Sequence, residues 1–373
     1  MQSLDNNTQA FLALVRGGLW EKDVRLSKFE PIDYSRVISL AEEQSVVGLV
    51  AAGLEHVSDV KVPKEDVLQF VGQTLQLEQR NTAMNNFIRD LVDKMRTAGI
   101  YTLLVKGQGI AQCYERPLWR ACGDIDLLFN ESNYEKAKDF FIPLALTIEK
   151  EALGNKHLGL TVGPWEVELH GTLHGDIKKR IDNVIDQIQI ECFSNGTVRI
   201  WQNDKVNVML PAPDNDIIIV FSHILQHFFN GGIGLRQICD WCRLLWTFRE
   251  SIDRELLKDR LKRMGIMSEW KAFTALAVND LGIPADDIPY YSSSVFWKIK
   301  SDRILRVLLS SGNFGHNFDH SYYSNYPYYV RKLISFWEHT KEAFRHVVIF
   351  PFDSIKIWWI VFFNGVIAAF KGK

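Results

Sequence analysis

Two aspartates one residue apart, Asp124 and Asp126, stand at the head of an apolar run, Ile125 and then Leu127-Leu128-Phe129. Residues i and i+2 of an extended chain share a face, so the spacing predicts two carboxylates side by side. Hard oxygen donors so placed suit Mg²⁺ or Mn²⁺, which keep coordination positions for substrate phosphates. Upstream, the apolar run Thr102 to Val105 ends in Lys106-Gly107-Gln108-Gly109. A glycine just past a strand end lets backbone approach a phosphate closely, and Lys106 adds positive charge. Arg120 lies just before the carboxylates. An isolated Asp-x-Asp is common, and the agreement of these flanks makes this one a candidate for metal-dependent phosphoryl transfer.

Other polar residues fall into spaced sets. Trp165-Glu-Val-Glu-Leu-His170 alternates, so Glu166, Glu168 and His170 share one face of an expected strand. Taken alone, a half-exposed strand with a solvated polar face accounts for that pattern. His223 and His227 are i, i+4 neighbours on an apolar helix. Neither has the adjacent glutamate of an HExxH zinc motif, so core or ligand-facing roles are expected. His170 and His174 are further candidates for phosphate or substrate contact. Arg236 and Asp240 are also i, i+4 neighbours, and a structural ion pair and a nucleotide-binding role stand as alternatives there. The glycine-rich Asn230 to Gly234 is either a phosphate-holding turn or a simple helix–helix turn.

Lys106-Gly107, Tyr114, Pro117, Arg120 and Asp124 to Leu128 follow the order Lys-Gly, Tyr-x-x-Pro-x-x-Arg, Asp-Ile-Asp-Leu-Leu. That order resembles the bacterial uncharacterised nucleotidyltransferase family (nucleotidyltransferase family 5) of the polymerase-beta-like superfamily. The resemblance implies a Mg²⁺- or Mn²⁺-dependent transfer of NMP from an NTP donor to a hydroxyl acceptor that the sequence does not identify. It implies Asp124 and Asp126 as metal ligands and catalytic residues, with a third carboxylate from a later strand. The family's acidic residue two before a histidine matches Glu168 and His170, with Glu166 the fallback. Lys106, Gly107 and Gln108 are implied to hold the triphosphate, and Arg120 to neutralise phosphate charge or orient Asp124. The family's histidine-rich helix and Gly-Leu-Arg…Asp segment match His223 to His227 and Gly234-Leu235-Arg236…Asp240, so that His227 or Arg236 reaches the phosphates. The chain departs from many relatives in its turn, Gly107-Gln108-Gly109, and in having Glu where many have Asp.

These residues need elements to position them. Residues from about 8 to 98 read as helices, with Met84, Phe87, Ile88, Leu91, Val92 and Met95 at helical spacing. Gly99 ends that run before a strand over 100–105. After the Asp-x-Asp strand, Ser132 is the expected cap of a helix through Phe141. Strands are expected near 145–149, 158–162 and 165–170, and two more around an Asn203-Asp204 turn. Apolar helices follow from Pro211 onward. The fold expected is α+β: a polymerase-beta-like core with a mixed sheet and helices, flanked by N-terminal and C-terminal helical regions. Boundaries fall at 1–98 for an N-terminal helical region, 99–210 for the catalytic domain, 211–345 for a helical closing domain and 346–373 for an apolar C-terminal helix.

Composition agrees with an ordinary globular protein. The 373 residues are 47% hydrophobic and 24% charged with a net charge of −2, so there is no strong nucleic-acid signature. The N-terminus does not resemble a targeting peptide, and five cysteines suit a reducing compartment. A cytoplasmic location is expected. Cys239 and Cys242 have CxxC spacing without a second pair and read as helix packing. The loop Gly312 to Tyr329 is rich in aromatic residues and reads as a packed connection, with base or sugar stacking as its alternative. Residues 357–370 are nearly all apolar, with Trp358 and Trp359 at the start and lysines flanking. That is shorter than the roughly twenty residues a span requires, leaving buried, partner-docking and peripheral membrane roles open. A DxD glycosyltransferase using an NDP-sugar, a toxin-like nucleotidyltransferase and a catalytically silent nucleotide-binding scaffold are the alternative functions.

Overall fold

The computed structural model describes residues 4–152, 154, 156–175, 177–230, 232–313, 326 and 328–370. Helices α1 (Asn6–Trp20), α2 (Tyr34–Glu43), α3 (Val47–Glu55) and α4 (Lys64–Thr97) come first. Asp5 opens α1 by accepting a hydrogen bond from the Thr8 backbone N–H, satisfying one orphan donor of the first turn. Glycines let α1 and α3 touch backbone to backbone. A Cβ at Gly18 would lie 1.9 Å from the Leu49 carbonyl oxygen, and one at Gly53 would lie 2.0 Å from that of Leu14.

The sheet region follows as β1 (Leu103–Val105), α5 (Gly107–Ala111), β2 (Asp124–Leu128), α6 (Glu131–Phe141), β3 (Thr147–Ile148), β4 (His157–Val162) and β5 (Trp165–His170). These strands form one mixed sheet in the order β1-β2-β5-β4-β3. Strands β2 and β5 run parallel at its centre, and the other neighbouring pairs run antiparallel. Helix α7 (Lys179–Ser194) and a separate hairpin, β6 (Val198–Asn203) and β7 (Val206–Pro211), come next. The cap of α6 is Asn130, which accepts from the Asn133 N–H, in place of the expected Ser132. Ser132 lies inside the first turn and donates to the Asn130 side chain.

The alternation along β2 sorts two apolar layers. Ile125, Leu127 and Phe129 pack with Leu104, Val167 and Leu169 against Met84, Ile88 and Leu91 of α4. On the other side Leu103, Val105 and Leu128 join a larger core. That core contains α8 (Pro213–Asn230), α9 (Leu235–Thr247), α10 (Arg254–Met264), α11 (Met267–Asn279) and α12 (Val295–Ser311). It also takes in α1 to α3, so the N-terminal helices share apolar packing with the C-terminal half. Polar ties cross the same seam: Trp20 Nε1 donates to the Leu281 carbonyl at 2.6 Å, and Gln44 Nε2 to that of Leu308 at 3.1 Å.

Helices α13 (Tyr328–Val347) and α14 (Pro351–Phe370) form a terminal hairpin. Helix α14 starts six residues before the expected apolar segment, and its first turn carries Asp353, which pairs with buried Lys178 at 2.6 Å. Among the described residues no helix is long and apolar enough to cross a membrane. All five cysteines are free and buried, in keeping with packing roles for Cys239 and Cys242. Most of the aromatic loop Gly312 to Tyr329 lies outside the described residues.

Candidate active site

The parallel register of β2 and β5 builds the site. Asp124 stands opposite Glu166, Asp126 opposite Glu168, and Leu128 opposite His170. Side chains of i and i+2 share a face, so Asp124, Asp126, Glu168 and His170 project from the face opposite α4. There they line a cavity of about 310 Å³, closed from the other side by His223, His227 and Arg236. Lys106 and Gly107 lie at its edge, where β1 ends beside Asp126.

The charges of the cavity are interlocked. Lys106 Nζ donates to Asp126 Oδ1 at 2.9 Å, and His170 Nε2 approaches the same oxygen at 2.8 Å. Burial alone would raise the Asp126 carboxyl, but Lys106 and the His170 hydrogen bond outweigh it and hold it below its ordinary value. Asp124 behaves oppositely. Burial and then the charge of Asp126 push its carboxyl up, with Lys106 offsetting them only in part. Glu168 is desolvated yet strongly depressed, because His157 and His170 both hydrogen-bond it. Its Oε2 lies 3.2 Å from His157 Nε2 and 3.3 Å from His170 Nε2. Desolvation of half-buried Lys106 lowers its pKa, but the three carboxylates more than reverse that.

The turn has an unusual backbone conformation. Lys106 has φ +58° and Gly107 φ +43°, a region costly for a side-chain-bearing residue and found at functional turns. A Cβ at Gly107 would also lie 3.2 Å from Cys122 Sγ.

Two of the residues expected to contact ligand have protein partners for their side chains. Gln108 is buried outside the cavity lining, and its amide donates to Asn81 Oδ1 of α4 at 2.8 Å. Asn81 in turn donates to the Leu118 and Arg120 carbonyls, so this chain of amides ties the segment before Asp124 to α4. Gly109 packs against Leu210, which a Cβ would meet at 2.8 Å. The Gly-Gln-Gly turn therefore serves packing on both sides. Arg120 reaches the cavity wall, but its guanidinium is committed to Asp240, with Nε to Oδ1 at 3.0 Å and Nη2 to Oδ2 at 2.6 Å. Tyr114 Oη donates to the same Asp240 at 2.8 Å. The Tyr-x-x-Pro-x-x-Arg segment thus grips α9. Arg236 Nη1 donates to the Ala121 carbonyl at 3.0 Å, steadying the entry to β2.

His223 and His227 stack edge to face, with ring centroids 4.3 Å apart. Burial and then Lys106 lower both, His227 to about 4. They are neutral donors or acceptors on the cavity wall. Glu166, the fallback carboxylate, is exposed and accepts from Thr161 Oγ1 at 3.0 Å. His174 pairs with Asp186 at 2.6 Å at the cavity rim.

One residue of this site was not singled out from sequence. His157 lies opposite His170 across the β4–β5 hairpin. Counting outward from the Gly163-Pro164 turn, with Val162 paired to Trp165, places it there.

The arrangement sets Asp124 and Asp126 beside the lysine-bearing turn and Glu168 in one cavity. The family model described as "Uncharacterised nucleotidyltransferase" matches residues 30–279, and the chain belongs to that family. Compared with curated proteins and with solved structures, the chain gives no match.

Proposed function

We propose that this protein moves a nucleoside monophosphate from an NTP to a hydroxyl acceptor and releases pyrophosphate, on a polymerase-beta-like core spanning 99–210. The observation that carries the reading is the register of Asp126 against Glu168 beside Asp124, with Lys106 at the same oxygen cluster. Family membership supports the reaction class.

The donor set fits a divalent cation. Three carboxylates project into one cavity, and Asp124 is raised by burial and then by the negative charge of Asp126, a repulsion that a cation relieves. Asp124, Asp126 and Glu168 would hold Mg²⁺ or Mn²⁺. Bound there, such ions supply neutralisation of the triphosphate and a lowered pKa for the acceptor hydroxyl. Lys106 sits where it can exchange Asp126 for a phosphate oxygen, and the Gly107 backbone allows close approach. His227 and Arg236 face the same space from α8 and α9, the segment that closes over the nucleotide in this reading.

Thermal shift with each NTP, with and without Mg²⁺ or Mn²⁺, tests the reading on wild type and Asp124→Asn. Stabilisation should require both the cation and Asp124. A response confined to NDP-sugars would instead favour a glycosyltransferase, and silence towards every nucleotide would leave a scaffold.

A further inference from the structure

We propose that His157, Glu168 and His170 form a second cation site, beside the Asp124–Asp126 pair, that takes an imidazole-preferring first-row ion with Zn²⁺ favoured over Mg²⁺. The inference shares Glu168 with the nucleotidyltransferase reading but requires no nucleotide.

The three residues converge by strand geometry. His157 and His170 are cross-strand partners on β4 and β5, and Glu168 is two residues before His170 on the same face. Their ligating atoms all lie within 4.8 Å of one another. Glu168 Oε2 is 3.2 Å from His157 Nε2 and 3.3 Å from His170 Nε2. Ligands held about 2.0–2.1 Å from a tetrahedral Zn²⁺ stand roughly 3.3 Å apart, so two edges of the site already have the length that ion needs. All three residues line the cavity, leaving a side from which solvent or substrate can complete the coordination.

Donor chemistry selects the ion. Two imidazole nitrogens and one carboxylate oxygen suit Zn²⁺ and neighbouring transition ions. Mg²⁺ demands near-octahedral oxygen coordination, which this set does not offer. Asp124 and Asp126 themselves offer oxygen alone. The two donor sets adjoin at Glu168 and at Asp126 Oδ1, the atom His170 also touches.

Isothermal titration of the full chain, stripped by chelator and free of nucleotide, with Zn²⁺ and separately with Mg²⁺ tests this. Wild type should bind Zn²⁺ at least about a hundredfold more tightly than Mg²⁺. His157→Gln should weaken Zn²⁺ by roughly tenfold or more, since even partners outside a metal's own ligands cost that much. Glu166→Gln should leave Zn²⁺ binding unchanged. Circular dichroism of each variant establishes that it folds, and His157→Asn serves in place of any that does not. Equal affinity for the two ions in wild type, or wild-type Zn²⁺ affinity in a folded His157 variant, overturns the proposal. The two readings fail separately: Asp124→Asn should lose cation-dependent NTP stabilisation yet keep the Zn²⁺ isotherm. An NTP response with Zn²⁺ binding indifferent to His157 sinks this site alone, and the reverse sinks the nucleotide reading alone.

Discussion

Lys106 Nζ lies 2.9 Å from Asp126 Oδ1, on an oxygen that His170 Nε2 also approaches at 2.8 Å. Of the two aspartates, Asp126 is therefore the paired one, whereas Asp124 is raised by burial and then by the charge of Asp126. The two aspartates look equivalent in sequence but differ in sign as contributors to the stability of the metal-free fold.

Asp126→Asn removes the hydrogen-bonded partner of half-buried Lys106, which keeps Glu168 and Asp124 nearby, and should cost about 1.5–3 kcal/mol. Asp124→Asn removes a charge whose carboxyl is raised on folding, and should stabilise the metal-free protein. Both should abolish cation-dependent NTP stabilisation. Melting temperatures of the chelator-treated variants check the contrast. Equal losses in both would mean that the charge pattern of the cavity is misassigned.

Arg120 and Asp240 face each other in bidentate geometry with both side chains almost fully buried. Their partnership joins the segment before β2 to α9, so its first role is holding the cavity walls together. Arg120→Met should destabilise by about 3–5 kcal/mol, because it strands a buried carboxylate. Tyr114→Phe should cost about 1 kcal/mol for one hydrogen bond. The double variant Arg120→Met, Asp240→Leu should be less destabilised than the sum of its singles. Urea unfolding of the four proteins closes the cycle, and additive losses would mean that the pair does not act as a unit.

What could be read from the sequence was whatever a strand's period of two decides. Asp124 beside Asp126, and Glu168 beside His170, needed only that spacing, and the fold class followed from where apolar runs changed period. The Gln108 and Arg120 side chains were not legible in the same way. Their directions depend on Asn81 and Asp240, partners 27 and 120 residues distant that no local pattern names. His157 is the intermediate case: its place opposite His170 follows by counting from one turn, once that turn is taken as a hairpin. The Ser132 cap failed for a local reason: Asn130, an equally good acceptor two residues earlier, opens the helix first and leaves Ser132 inside its first turn.

Glu269 gives a pH dependence with a defined sign. Burial and a hydrogen bond with Asp353 push its carboxyl up to about 7, with Lys178 acting against them. A folded-state value above the ordinary 4.5 means that the folded protein holds this proton more tightly than the unfolded chain. Its contribution is therefore full below about pH 4.5 and is lost as pH rises through about 7. Asp353 is shifted the other way, so its own contribution fades only in acid below that window. Chemical denaturation between about pH 5 and 8 should show wild type losing stability relative to Glu269→Gln. Parallel curves would exclude Glu269 as the titrating group. The tie to α14 through Lys178 and Asp353 makes the terminal hairpin the part whose protection from hydrogen exchange should fall first.

The two glutamates of β5 give the most direct test of the carboxylate assignment. Glu168 stands opposite Asp126, lines the cavity and is held by His157 and His170. Glu166 stands opposite Asp124 in register, yet it is exposed and spends its oxygens on Thr161 across the hairpin. The difference arises at the sheet's end, where β4 offers Thr161 to Glu166, while Glu168 faces Gly159 and leans towards the histidines. Glu168→Gln should lower cation-dependent turnover of NTP by a hundredfold or more, on the order of 3 kcal/mol in the barrier. Glu166→Gln should remain within about threefold of wild type, less than 1 kcal/mol. Pyrophosphate release measured across a Mg²⁺ and Mn²⁺ titration reads both. A severe Glu166 variant beside a mild Glu168 variant would transfer the third-carboxylate role to Glu166 and require Thr161 to release it on substrate binding.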